Sequence, residues 1–140
     1  MNLNTLKLLV QIAGLMHLGL LTAGLMMRRV VNMPQHLAQL PVFLRQLFWV
    51  YYSFIGLCLA GFGAITFFLA GPLTSGETLA RAICAFFALF WLVRLFVSVF
   101  VYDLKPYATN GWLRLGKLAT DLVFIYLPAV YLVALWKGGR

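Results

Sequence analysis

The residues that could do chemistry in this sequence lie inside long apolar segments. Arg94 lies past the middle of the third segment, and Asp121 lies in the fourth at a similar depth. A charge left alone in hydrocarbon is costly, so these two side chains are predicted to form an ion pair. Ser98, one turn after Arg94, and Ser53 in the second segment complete a predicted polar cluster. Two interpretations stay open: a structural pair that sets helix register, or a ligand or ion site.

A second candidate is His17, at the centre of the first segment. A histidine at this depth could ligate haem, relay protons or form a hydrogen bond with another helix, and the last is the plainest expectation. The other histidine, His36, is too distant along the chain to complete a bis-histidine haem site. A haem would therefore need a ligand from another subunit or a five-coordinate iron. Haem and quinone both remain open as cofactors.

No enzyme signature accompanies these residues. The sequence has no nucleophile with a neighbouring base, no paired carboxylates, no glycine-rich phosphate loop and no metal-ligand spacing. Cys58 and Cys84 both lie in apolar runs, which predicts buried, reduced packing residues. We therefore expect a protein that is not an enzyme.

The amino-acid composition indicates whether water or lipid surrounds this chain. Hydrophobic residues make up 64% of its 140 residues and charged residues 10%. So few charges could not cover so much apolar surface in water, and lipid must surround most of the chain. The net charge of +8 is carried mostly by short segments between apolar runs. Such charges orient membrane helices and meet anionic headgroups, so we expect membrane lipids and no nucleic acid as partners.

Four segments are long enough to cross a bilayer core, which needs about 20 apolar residues. The predicted fold is a single all-α domain over residues 1–140, an up-down bundle of four transmembrane helices. The segments cover about residues 6–27, 47–70, 79–102 and 114–136.

Two finer features are predicted within this bundle. Leu37, Leu40 and Leu44 recur at helical spacing, which predicts a short interfacial helix over residues 34–45. Small residues recur every four positions in the second and third segments, so these two helices are expected to pack together. The small residues are Gly56, Ala60 and Ala64 in one, and Ala80, Cys84 and Ala88 in the other.

The basic residues also predict an orientation. Loops 28–46 and 103–117 carry more Lys and Arg than the opposite side, which places these loops in the cytoplasm. The six residues are Arg28, Arg29, Arg45, Lys105, Arg114 and Lys117, against Lys7, Arg81, Lys137 and Arg140.

Several runs resemble a pattern in small uncharacterised four-helix bacterial membrane proteins. They are residues 48–51, 79–84, 88–91, 94–95, 102–107 and 126–131. The resemblance implies a bacterial inner-membrane protein. It supplies no activity, so no functional residue is carried over.

The expected function follows from the near absence of sequence outside the membrane. We expect a non-enzymatic integral membrane protein that acts as a small subunit or assembly factor of a membrane complex, or that self-assembles. Its partners would be copies of itself or other membrane subunits. The alternative is a binder or carrier of a small apolar ligand (quinone, haem or lipid) within the bundle, through the Arg94–Asp121 cluster and His17.

Overall fold

The computed structural model describes residues 2–102 and 110–138, and these residues contain helices and no strand. Within this part of the chain, four helices are long and apolar enough to cross a membrane, so the protein is an all-α, multi-pass membrane protein. A helix satisfies its own backbone hydrogen bonds, which hydrocarbon cannot do for it. The helices are α1 (Leu3–Val30), α2 (Met33–Ala38), α3 (Val42–Phe68), α4 (Ala70–Leu73), α5 (Thr78–Phe100) and α6 (Gly111–Lys137).

The four long helices overlap the predicted segments, and most extend beyond them. α1 continues through Arg28 and Arg29, and α6 begins at Gly111. Residues 111–113, which precede the predicted segment, and residues 114–117, which were assigned both to that segment and to the loop 103–117, therefore form the first turns of α6. Long basic side chains permit this extension, because their charged ends can reach water from a helix that continues past the apolar core. Of the remaining residues of that predicted loop, 103–109 lie outside the described residues.

The structure has a short helix in this region, but it covers fewer residues than the interfacial helix predicted over residues 34–45. α2 ends at Ala38, and Pro41 precedes the first residue of α3. A proline breaks a helix that precedes it and is tolerated at the start of the next one, so residues 42–45 belong to α3. Leu37 is the buried residue of α2, which packs against α1.

α1 and α3 form a tightly packed antiparallel hairpin. A Cβ added at Gly14 would lie 2.8 Å from the backbone nitrogen of Phe67, and one added at Gly63 would lie 2.9 Å from Cβ of His17. Farther along, the Tyr52 hydroxyl donates a hydrogen bond of 2.7 Å to the carbonyl of Gly24. The two backbones therefore approach each other closely where the glycines lie.

α5 and α6 form the second antiparallel hairpin. Trp91 stacks on Phe124 with ring centroids 5.7 Å apart, and the ring centroids of Phe87 and Tyr131 are 5.2 Å apart.

α1 joins the two hairpins by packing against α6. The Tyr126 hydroxyl of α6 donates a hydrogen bond of 3.1 Å to the carbonyl of Leu9 in α1. We call the two ends of the bundle the α2 end and the α4 end, after the short helices found there.

The predicted packing of α3 against α5 through small residues is wrong. The principal neighbour of α3 is α1, and that of α5 is α6. α3 meets α5 at the ring of Phe62, which contacts Phe86, Phe87 and Phe90. These bulky rings hold the two backbones apart, whereas Gly14 and Gly63 let α1 and α3 approach.

The two cysteines are free and differ in exposure. Cys84 is buried, and its Sγ lies 3.6 Å from the carbonyl of Leu73. Cys58 is exposed on α3, so the expectation that both thiols are buried is wrong for this one. The reason is that α3 packs against the bundle with one face, and Cys58 lies on the other.

The close approach of Gly14 to Phe67 predicts that the same substitution has different effects on stability at two positions of α1. Gly14→Ala should lower the free energy of unfolding by about 1–3 kcal/mol, because its methyl group meets the backbone of Phe67. Gly19→Ala is the matched control, since a Cβ there meets no atom within 4 Å. It should be neutral or stabilising by up to about 1 kcal/mol through helix propensity. Reversible unfolding in mixed micelles measures both, and equal effects would contradict the proposed contact.

Candidate functional site

The predicted Arg94–Asp121 ion pair is not formed. Arg94 donates a hydrogen bond of 2.9 Å to the hydroxyl of Tyr102. Its guanidinium also lies over two aromatic rings, 5.2 Å from the centroid of Tyr102 and 5.5 Å from that of Phe124. The side chain is long enough to reach toward the α2 end of the bundle, where Tyr102 follows α5. A neutral acceptor and two π faces therefore take the place predicted for a carboxylate.

Asp121 is compensated within its own helix. Lys117, one turn earlier in α6, places its Nζ 2.7 Å from the Asp121 carboxylate. The hydroxyl of Ser98 donates to the same carboxylate at 3.1 Å and so connects α5 to α6. A partner four residues away on the same helix needs no rearrangement of the bundle, which explains why Asp121 does not pair with Arg94.

The predicted four-residue cluster is therefore assembled only in part. Ser98 and Asp121 are in contact, and Arg94 lies over Phe124, one turn after Asp121. Ser53 is exposed on α3, where its hydroxyl donates to the carbonyl of Trp49 at 2.9 Å. It is not part of the cluster, because the principal neighbour of α3 is α1, and Ser53 lies on a part of α3 that is exposed.

His17 is completely buried, with 0% of its surface exposed. Its Nδ1 lies 2.7 Å from the carbonyl of Ala13, one turn earlier in α1. The expected hydrogen bond to another helix is therefore wrong. The ring reaches the other helices by aromatic contact, edge-on to Trp91 with centroids 5.1 Å apart and to Tyr131 at 6.5 Å.

A buried hydrogen bond lies beside this ring. The hydroxyls of Thr66 and Tyr131 are 2.7 Å apart, and both side chains are fully buried. Around this ring, each of the four spanning helices contributes one polar or amphipathic side chain to a buried group. We call this group the central cluster; its members are His17 of α1, Thr66 of α3, Trp91 of α5 and Tyr131 of α6.

The central cluster carries two unused hydrogen-bonding atoms. His17 Nε2 and Trp91 Nε1 are buried and have no hydrogen-bond partner among the described residues. A carbonyl can only accept, so the proton of His17 is on Nδ1 and its Nε2 is an acceptor, whereas the indole N–H of Trp91 is a donor. His17 Nε2 can therefore accept one further hydrogen bond, and Trp91 Nε1 can donate one.

The surroundings of His17 do not fit the haem hypothesis. Ligation shared with another subunit requires an Nε2 that faces outward, and this atom lies in the bundle interior. The ring is enclosed by Ala13, Trp91 and Tyr131, so an iron could reach it only if the packed aromatic residues moved. The central cluster is better suited to a small polar group than to a flat macrocycle.

Three members of the central cluster were missed by the sequence reasoning. Thr66, Trp91 and Tyr131 lie in apolar segments that also hold many residues of the same types near the membrane surface. One signal was available: Trp and Tyr concentrate at membrane interfaces, and Trp91 lies far from both ends of its segment. A tryptophan at this position needs an interior location or a polar partner.

Comparisons of the chain with protein-family models, with curated proteins and with solved structures find no match. Within the described residues, no group of three or more His, Cys, Asp or Glu side chains is placed to hold a metal ion. The candidate site is therefore described by its own geometry alone: a central cluster inside the bundle, and the Arg94 and Asp121 contacts toward the α2 end.

The buried Thr66–Tyr131 hydrogen bond should be measurable in a double-mutant cycle. Thr66→Val and Tyr131→Phe should show a coupling energy of roughly 0.6–2 kcal/mol, the range for hydrogen bonds between membrane helices. The control pairs Thr22→Val with Tyr131→Phe, because the Thr22 hydroxyl donates within α1 to Leu18. Unfolding in mixed micelles should give additive effects for the control pair. Additivity in both cycles would mean that the Thr66–Tyr131 bond contributes nothing.

Proposed function

We propose that this chain is a non-enzymatic integral membrane protein that serves as a small subunit of a membrane assembly, with α3 as the contact helix. One observation carries the proposal. Of the 27 residues of α3, only Gly63 and Thr66 are buried, whereas α6 has the same length and buries six. A helix with so little contact inside the bundle has most of its surface free for another protein.

The free face of α3 has the pattern of a helix–helix interface. Exposed or partly exposed positions recur at spacings of four and three residues, with small side chains in the middle and large ones at the ends. A Cβ at Gly61 would meet no atom within 4 Å, so this position is open to a neighbour. Small central residues allow close approach in lipid, and large flanking residues interlock. The positions are Phe54, Cys58, Gly61, Ile65 and Phe68.

The occupant that we propose for this face is a second copy of the chain. Residues 46–76, which include nearly all of α3, contain no charged side chain. Two identical uncharged faces can meet about a two-fold axis without placing like charges together. In lipid, where apolar surfaces gain little by leaving the solvent, such shape complementarity provides the association energy.

We also propose a bacterial inner membrane as the setting, with loops 28–46 and 103–117 on the cytoplasmic side. The excess of Lys and Arg in these loops supports this orientation. The sequence resemblance to small four-helix bacterial membrane proteins supports the choice of membrane.

The native cysteines provide a direct test of self-association. Oxidative cross-linking in membranes should convert the 15.7 kDa chain into a dimer through exposed Cys58, while buried Cys84 stays unreacted. Cys58→Ala should abolish the dimer and Cys84→Ala should retain it. As a control for random collision, a cysteine at Ile125, which is 54% exposed on α6, should cross-link poorly in a cysteine-free chain. Equal cross-linking at both positions would contradict the proposed interface.

Substitution of glycine by a large residue sharpens this test. A Cβ at Gly61 meets no atom within 4 Å, so we expect the monomer to accommodate Gly61→Leu. The larger side chain should block the close approach of two α3 helices, and the Cys58 cross-link should be lost. Gly19→Leu is the matched control, because Gly19 of α1 is also open and lies away from α3's free face. A cross-link that survives in Gly61→Leu would overturn the two-fold arrangement.

A second candidate function is the binding of an apolar ligand such as a quinone or a lipid. The observation in its favour is a groove of about 250 Å³ on α5, lined by Phe86, Phe90, Val93 and Arg94 among others. In the contacts described, one guanidinium N–H of Arg94 donates a hydrogen bond, and its acceptor is the hydroxyl of Tyr102. The other donors could hold the polar head of a ligand whose apolar tail occupies the groove.

This second candidate predicts a co-purifying small molecule. Protein purified in mild detergent is extracted with an organic solvent, and the extract is analysed by mass spectrometry. About one quinone or lipid per chain is expected, because small-molecule sites are few per protein. Arg94→Gln should lose it, and Arg81→Gln, on the same helix near the α4 end, should retain it. A wild-type extract without a stoichiometric ligand would contradict ligand binding and leave the assembly proposal intact.

A further inference from the structure

The chain forms a notch where α1 passes into α2. It turns through Asn32, whose φ of 46° is left-handed, and α2 then packs back against α1. The resulting notch has a volume of about 680 Å³. Its polar lining includes Arg28, Arg29, Asn32 and Gln35, and its apolar lining includes Leu25 and Met26.

The two arginines in this notch have no counter-charge among the described residues. The guanidinium of Arg28 lies 4.5 Å from the centroid of the Trp49 ring, and Arg29 is exposed. The described carboxylates lie elsewhere: Asp121 is paired with Lys117, and Glu77 precedes α5 at the opposite end of the bundle. Two adjacent positive charges beside a pocket of this size favour an anion supplied from outside the chain.

The depth of the notch points to a lipid as the source of this anion. Leu25 and Met26 are 53% and 63% exposed, and they precede the arginines by one turn on the side of the membrane interior. The lining therefore changes from charged to apolar along the direction in which a phospholipid changes from headgroup to acyl chain. A free phosphate would use the arginines and leave the apolar part without a role.

We propose that this notch is a binding site for one anionic glycerophospholipid. Arg28 and Arg29 hold its phosphate through planar, charge-assisted hydrogen bonds, and the amides of Asn32 and Gln35 are placed to serve the glycerol and ester oxygens. One acyl chain lies along Leu25 and Met26. The bound lipid connects the end of α1 to α2 and so holds the short helix at the membrane surface.

Native mass spectrometry with defined lipids tests the site. Detergent-solubilised protein is titrated with phosphatidylglycerol or with zwitterionic phosphatidylcholine, and the first should bind more tightly. Arg29→Gln should weaken phosphatidylglycerol binding roughly fivefold, the effect of one basic residue near an anionic lipid. The matched control, Arg45→Gln, removes the same charge at the start of α3 outside the notch and should change binding little. Arg29→Lys should fall between wild type and Arg29→Gln, because it keeps the charge and loses the planar fork.

Each contrary result identifies a different error. An equal loss in Arg29→Gln and Arg45→Gln would show a diffuse basic surface and overturn the notch as a site. Equal binding of the two lipids would overturn the role of charge. Competition by millimolar inorganic phosphate would show that the ligand is a soluble anion, which overturns the assignment to a lipid. Because Arg29 is exposed and none of the contacts described holds it in place, Arg29→Gln should keep the fold, and unchanged helical circular dichroism verifies this.

Discussion

The close approach of α1 and α3 at Gly14 and Gly63 is the contact on which the rest of this bundle depends. Lipid tails are as apolar as the helices, so spanning helices gain little from hydrophobic burial and associate through close packing and hydrogen bonds. Glycines permit that packing, since a Cβ at either position would lie within 3 Å of the opposite helix. The same approach directs His17 into the interior, where Trp91 and Tyr131 of the other hairpin close around it.

The polar groups of the bundle are stabilised by short-range compensation. Asp121 is paired within its own helix, Arg94 is held by a hydroxyl and two aromatic rings, and Thr66 is bonded to Tyr131. Each arrangement avoids an isolated charge or an unpaired hydroxyl in hydrocarbon. His17 Nε2 and Trp91 Nε1 depart from this rule within the described part of the chain, and the two rings that carry them are in contact in the interior. This departure makes the central cluster the most distinctive chemical feature of the bundle.

The surfaces proposed for function are those that the bundle itself does not use. α3 contacts its neighbours with one face and leaves the other uncharged, with small residues at its centre. The notch between α1 and α2 gathers two arginines that no described carboxylate balances. An uncharged face suits a second helix and an unbalanced cationic pocket suits an anionic headgroup, so the partners that we propose for the two surfaces are different.

Length and hydropathy along the sequence determined the four spanning helices and the all-α class, because hydrocarbon accepts only a backbone that satisfies its own hydrogen bonds. The proximity of Ser98 and Asp121 was also predictable from depth along adjacent antiparallel helices. Depth alone could not choose between Lys117 and Arg94 as the partner of Asp121. Tertiary structure decided that choice, the pairing of α1 with α3, the exposure of Cys58 and the assembly of the central cluster. The physical reason is that hydropathy sets how deep a residue lies, whereas local shape sets which helix it faces: glycines bring α1 and α3 together, and the aromatic rings around Phe62 keep α3 and α5 apart.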